Sequence, residues 1–229
     1  MDAYVEPDKD MGSRAAVLLW ESTKVEDWTK VRREYYDILR DHKVYELEQW
    51  YQKDLPGIMK SQQYLTKEQG IKLIQWKGKR GKFRPALVKY AKEQDDVALR
   101  EASKEAYDIL SNQKDGECMD TSRVMEALGT LTKLRGIGPA TASAILSAMD
   151  DRVPFMSDEA LLVCLGKREY TVQAYRRLVE CIQDKYNEIT AASNESHDVS
   201  VRDIEAALFA SSVDDGTDHR PSKKRKAGE

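Results

Sequence analysis

Between about Trp20 and Ala210, apolar residues return every three or four positions, the spacing that lines one face of a helix. Trp28, Val31, Tyr35, Ile38 and Leu39 form one stripe. Tyr45, Leu47, Trp50 and Tyr51 form a second, halted near Pro56-Gly57. Thr66 with Gln69 reads as a capping box that opens a short helix through Trp76. Pro85 suits an early helical position before Ala86, Leu87, Val88 and Tyr90. Further helices are expected over residues 97–111, 122–134, 140–149, 158–165, 171–190 and 200–210, with Ser157, Thr171 and Ser200 as N-caps. Period-two alternation and β-branched runs are sparse, so the expected fold class is all-α, a helical bundle. Residues 1–19 read as a loosely ordered N-terminus, 20–210 as one helical domain and 211–229 as a disordered basic tail.

Composition narrows the class without naming a function. Of 229 residues, 41% are hydrophobic and 34% charged, a globular balance that argues against collagen-like, low-complexity and disulfide-scaffold chains. The longest apolar runs are short, such as residues 15–20, so no membrane span is expected, and without a basic-then-apolar leader neither is secretion. Cys118, Cys164 and Cys181 are far apart and lack C-x-x-C spacing, which fits reduced thiols and gives no metal or iron–sulfur pattern. His42, His197 and His219 are scattered, so a zinc site or a histidine-based centre has little to stand on.

The net charge of −3 would by itself argue against a nucleic-acid partner, but it averages over a segregated chain. Residues 72–92 hold eight basic residues and no acidic one: Lys72, Lys77, Lys79, Arg80, Lys82, Arg84, Lys89 and Lys92. Without that stretch and without residues 221–229, the rest carries −14. DNA is therefore expected to meet one face only. The core of the stretch, residues 76–84, reads as a glycine-containing loop flanked by Trp76 and Phe83. Its Lys77, Lys79, Arg80, Lys82 and Arg84 could follow a phosphate backbone, with an aromatic free to stack on a base. A solvated basic surface with both aromatics turned into the core is the competing reading. Trp20, Trp28, Trp50 and Trp76 read as packing residues rather than a base-binding cage.

The most informative stretch is residues 131–142, LTKLRGIGPATA. One periodic helix ends at Leu134 and the next begins near Pro139, whose fixed φ suits a first helical turn. Gly136 and Gly138 let the backbone turn sharply and expose main-chain N–H groups at a helix start, where the dipole favours an anion. Ile137 can plug the groove between the helices, and Ala140, Ala142, Ser143 and Ala144 allow close approach. Such a hairpin, spanning 122–149, can hold a nucleic-acid phosphate through Gly136, Ile137, Gly138, Ala140 and Thr141, with Arg135 beside them. An ordinary αα turn with a glycine cap would share part of the pattern.

With these residues in view, 131–162 resembles the core motif of the helix-hairpin-helix DNA glycosylase superfamily, and is most similar to the Amun-like nuclear glycosylase-like proteins. The family carries a catalytic aspartate about twenty residues after its glycines, and Asp158 falls at that position without a gap. The resemblance implies DNA as partner, base flipping, and hydrolysis of an N-glycosidic bond in base excision repair. It implies no iron–sulfur cluster, since the cysteine loop of some relatives is absent, and leaves room for a monovalent cation at the hairpin. Members that also cut the strand have a lysine where this chain has Ala140, so a monofunctional enzyme is expected. Arg135 replaces the usual proline.

As base leaving builds positive charge on the sugar, an Asp158 carboxylate below it would stabilise that charge. Ser157-Asp158-Glu159 is also what a plain helix start looks like. Glu159, one residue on, is expected to point elsewhere as a dipole partner. The run Lys223, Lys224, Arg225 and Lys226 reads as a nuclear localisation signal. Two alternatives stay open: a DNA- or chromatin-binding helix-hairpin-helix protein without catalysis, and a helical protein whose hairpin makes protein contacts.

Overall fold

The computed structural model describes residues 12–113, 118–191 and 199–214. Among them are twelve α-helices and no strand. These are α1 (Arg14–Glu21), α2 (Val25–Ile38), α3 (Tyr45–Gln49), α4 (Leu55–Gln62), α5 (Lys67–Arg80), α6 (Pro85–Glu93), α7 (Asp96–Ser111), α8 (Thr121–Thr132), α9 (Pro139–Met149), α10 (Asp158–Leu165), α11 (Val172–Ala191) and α12 (Val201–Asp214). The all-α expectation holds. None of the described helices is long and apolar enough to cross a membrane.

At the centre lies α9, where every residue from Ala140 to Ala148 is buried. Its alanines and serines let neighbours approach closely, and it packs against α8, α4, α5, α7 and α11. Tyr51 donates its hydroxyl to the Ala144 carbonyl at 2.8 Å. The Tyr51 ring stacks on Trp76, centroids 3.6 Å apart, and Trp76 in turn meets Phe155. Trp28, Trp50 and Trp76 are all buried, as packing residues should be.

Several element ends differ from expectation. The second stripe does not stop at Pro56. The chain passes from α3 through a π-helical turn, Trp50–Asp54, into α4, with Pro56 in its first turn. A proline lacks the N–H and crowds the carbonyl four residues back, and the wider turn relieves both demands. The N-terminal region is ordered from α1 onward, because Ser13 caps the helix by accepting from the Ala16 N–H and Ala16 and Leu19 are buried. At the other end α12 runs on to Asp214, four residues into the stretch read as tail.

The largest correction concerns residues 77–80, expected in a loop. They form the last turn of α5, and only residues 81–84 connect it to α6. Gly78 weakens a helix by about 1 kcal/mol relative to Ala, and the anchoring of Arg80 and Trp76 overrides it. Three cations in that turn also suit the negative end of the helix dipole.

Candidate functional site

Two local devices hold the start of α10. Ser157 caps it, accepting from the Ala160 N–H at 3.2 Å, so Asp158 occupies the first helical position. The preceding residues 153–157 are all buried. Met156 donates its N–H to Ser143 Oγ of α9 at 3.0 Å, and Tyr175 donates its hydroxyl to the Pro154 carbonyl at 2.9 Å. The distance in sequence between the glycine turn and Asp158 thus has a structural cause: the intervening chain is fastened back onto α9.

The turn between α8 and α9 uses its glycines differently. Gly136 has φ +84°, and a Cβ there would lie 2.5 Å from Tyr90 Cβ. It is therefore required by both backbone conformation and the close approach of α6. Gly138 is exposed, has an ordinary negative φ of −90° and has nothing within 4 Å of a built Cβ. It precedes α9 as an N-cap without a side-chain cap, and its carbonyl accepts from Thr141 and Ala142. Ile137 is half-buried against the core, as expected for a plug. Ala140 and Thr141 are buried. Arg135 is exposed, its guanidinium 5.0 Å from the centre of the Tyr90 ring.

Of the basic residues, Lys79, Lys82 and Arg84 are exposed, and Arg84 lies 5.6 Å from the Tyr170 ring centre. Lys77 is half-buried. Burial lowers the pKa of its ammonium, the Arg84 charge lowers it further, and Asp158 opposes both. Arg80 departs from expectation. It is buried and bonded inward, to Glu205 at 2.6 Å and Glu48 at 3.4 Å, with its guanidinium 4.0 Å from the Phe209 ring centre. Glu48 also accepts from the Tyr35 hydroxyl, Trp76 Nε1 and Gln52. A guanidinium so engaged is not spare for a phosphate; Arg80 instead pins the end of α5 to α3 and α12. The aromatic pair divides, with Trp76 in the core and Phe83 59% exposed, lying over Gly78, where a Cβ would meet its ring at 2.9 Å.

These elements enclose one cavity of about 250 Å³. Its walls come from the end of α5 and the following loop (Lys77, Arg80, Lys82, Arg84), from the start of α9 (Gly138, Ala140, Thr141), and from the start of α10 (Asp158, Glu159) with Tyr170. A wider groove continues from it past Lys79, Phe83 and Arg168.

Within the cavity Asp158 accepts from the Tyr170 hydroxyl at 2.6 Å and faces Arg168 Nε at 3.5 Å, with its side chain 31% exposed. Burial and the Asp158 carboxylate both push the Tyr170 phenol up. Glu159 lines the same cavity rather than pointing away from it. Burial pushes its carboxyl up to about 7, Asp158 adds to the rise and Arg80 opposes it. Two adjacent carboxylates thus sit in unlike surroundings. Tyr170 and Arg168 carried no signal in the sequence, because a residue that follows a helix and folds back over its start has no periodicity to betray it. Arg135, Gly136, Ile137 and Lys79 stand outside the cavity wall, the first three around the adjoining α6 contact.

The signal at Lys223, Lys224, Arg225 and Lys226 lies outside the described residues. Among the described residues no cluster of three or more His, Cys, Asp or Glu side chains is placed to hold a metal ion. Comparison with protein-family models, with curated proteins and with solved structures returned no match.

Proposed function

We propose that this protein is a DNA-binding, glycosylase-like enzyme of the helix-hairpin-helix type that acts in the nucleus. It grips a duplex through main-chain groups at Gly138–Thr141 and through Lys79, Lys82 and Arg84, and admits a flipped nucleotide to the cavity. There Asp158 stabilises the sugar cation as the base leaves.

One observation carries this reading. The end of α5 with its loop, distant in sequence from the hairpin, lines a single cavity with the start of α9 and the start of α10. The cations at the end of α5 and on its loop thus meet the carboxylate and the start of α9 at one opening. The cavity is slightly below the ~300–1,000 Å³ of common small-ligand pockets, and it opens onto a groove that the duplex can occupy. Asp158 is stocked for its role. Tyr170 and Arg168 orient the carboxylate, and its first-turn position favours the anion.

The test is a mass-spectrometric screen for bases released from damaged duplex DNA, with Asp158→Asn alongside. Release that disappears in the variant supports the assignment; release that persists overturns it. The same contacts that orient Asp158 also favour a second reading, a DNA-binding protein in which the carboxylate serves only to tie down Tyr170. Binding without release across the substrate panel selects it. In either case the logarithm of the DNA binding constant must fall linearly with log[salt]. A protein with no affinity at low salt is neither.

A further inference from the structure

Cys164 and Cys181 stand 17 positions apart in the chain and side by side in the fold. Cys164 is in the last turn of α10 and Cys181 lies on α11, two helices that pack together. The Cys164 thiol hydrogen-bonds Cys181, and Cys181 donates its S–H to the Cys164 carbonyl at 4.0 Å. Both side chains are half-buried, so a small solute in water can reach them. Lys185, one helical turn beyond Cys181, is buried, and its ammonium favours the thiolate of each sulfur, while Asp184 opposes it at Cys181. Partial exposure beside a cation is what separates reactive cysteines from inert buried ones. Cys118 is exposed and bonds Asn187 at 3.2 Å instead.

We propose that Cys164 and Cys181 form an oxidation site that a hydroperoxide closes to a disulfide, bracing the turn that holds Asp158. With hydrogen peroxide, one sulfur attacks as its thiolate. The S–O bond forms as the O–O bond breaks, and the displaced oxygen takes up a proton and leaves as water. The second thiolate attacks the resulting sulfenic sulfur, the S–S bond forms, and the hydroxyl leaves as a second water. Two electrons pass from the sulfurs to the peroxide, and the two thiol protons end in the two waters. A dithiol reductant returns the electrons by exchange. Disulfides of this reversible kind serve sensing where glutathione keeps other thiols reduced. Residues 166–171, between the two cysteines, include Arg168 and Tyr170, and both contact Asp158. The disulfide closes a covalent ring around them and stiffens that wall of the cavity. The proposal stands on the thiol pair and not on the DNA reading, and either can fail without the other.

The experiment treats the reduced full chain with hydrogen peroxide, alkylates the remaining thiols, and maps peptides by mass spectrometry without reduction. We expect a linked Cys164–Cys181 peptide that has lost two hydrogens, formed while most of Cys118 can still be alkylated. The melting temperature should rise by roughly 6–12 °C and return with dithiothreitol. Cys164→Ser and Cys181→Ser should each abolish the link and the rise. Circular dichroism checks that both variants fold, and the map of the unaltered chain decides the matter if either does not. A link that includes Cys118 overturns the proposal, as does sulfinic acid on either sulfur without a link. So do Cys164 and Cys181 thiols that both survive peroxide sufficient to consume Cys118. A rise that persists in Cys164→Ser, or a link without any rise, overturns the bracing of the turn.

Discussion

Replacing Arg80 with methionine removes the cation that pairs with two buried carboxylates, Glu48 and Glu205. Glu48 and Glu205 are 0% and 1% exposed, and Arg80 bonds both while stacking on Phe209. Methionine keeps much of the packing volume, so the loss is electrostatic. Leaving buried charge uncompensated costs about 3–5 kcal/mol. At roughly 2–4 °C per kcal/mol for a chain of this size, the melting temperature should fall by about 6–20 °C. The loss should also depend on pH. Burial already raises the Glu205 carboxyl and Arg80 opposes the rise, so removing Arg80 lifts it further. A carboxyl whose folded pKa is raised binds a proton on folding, and stability then grows as pH falls through the folded value towards the unfolded one. The variant should regain stability as pH falls from 8 towards the ordinary carboxylate range, and adding Glu205→Gln should recover part of the loss at pH 8. Thermal and urea unfolding followed by circular dichroism give both numbers. A loss below about 1 kcal/mol, or one unchanged across that pH range, refutes the view that this cluster holds α5 in place.

The two glycines of the turn should separate fold from function. Gly136→Ala should destabilise by more than 1 kcal/mol, because φ is positive and Tyr90 occupies the space. Gly138→Glu should leave the melting temperature nearly unchanged and weaken binding to all duplex sequences alike, read by fluorescence anisotropy. Glu159→Gln should raise stability at pH 8 and flatten the stability profile between about pH 4.5 and 7, since the raised carboxyl costs stability only where it must ionise; an unaltered profile counts against a raised Glu159 carboxyl. Tyr170→Phe, which deletes the 2.6 Å bond to Asp158, should reduce base release severalfold while leaving duplex affinity within a factor of two; equal release by both proteins would remove Tyr170 as a positioning residue.

What the sequence discloses here is what local chemistry decides. The Thr66 capping box, the Ser157 cap and the apolar periodicity place α5, α7, α8, α9 and α10 to within a few residues. The end of α5 is missed because its support comes from Glu48 and Glu205, 32 and 125 positions away from Arg80. Gly78 and Gly81 announce a loop, and the long-range anchoring of Trp76 and Arg80 keeps Gly78 helical. Asp158 is legible because a short fastened segment fixes its distance from the glycines. Its neighbours Tyr170 and Arg168, and the inward turn of Glu159 and Lys77, depend on how α10 and α5 face each other. No spacing within either segment encodes that.

The hydrogen bond from the Met156 amide to Ser143 has a consequence for how the site breathes. Its donor precedes α10 and its acceptor lies on the fully buried α9. This amide can exchange its hydrogen with solvent only when the two elements part, so its exchange rate measures the free energy of opening the acid turn from the hairpin. If that opening equals global unfolding, the turn and the hairpin form one cooperative unit, and a ligand gripping one end stiffens the carboxylate at the other without any change of shape.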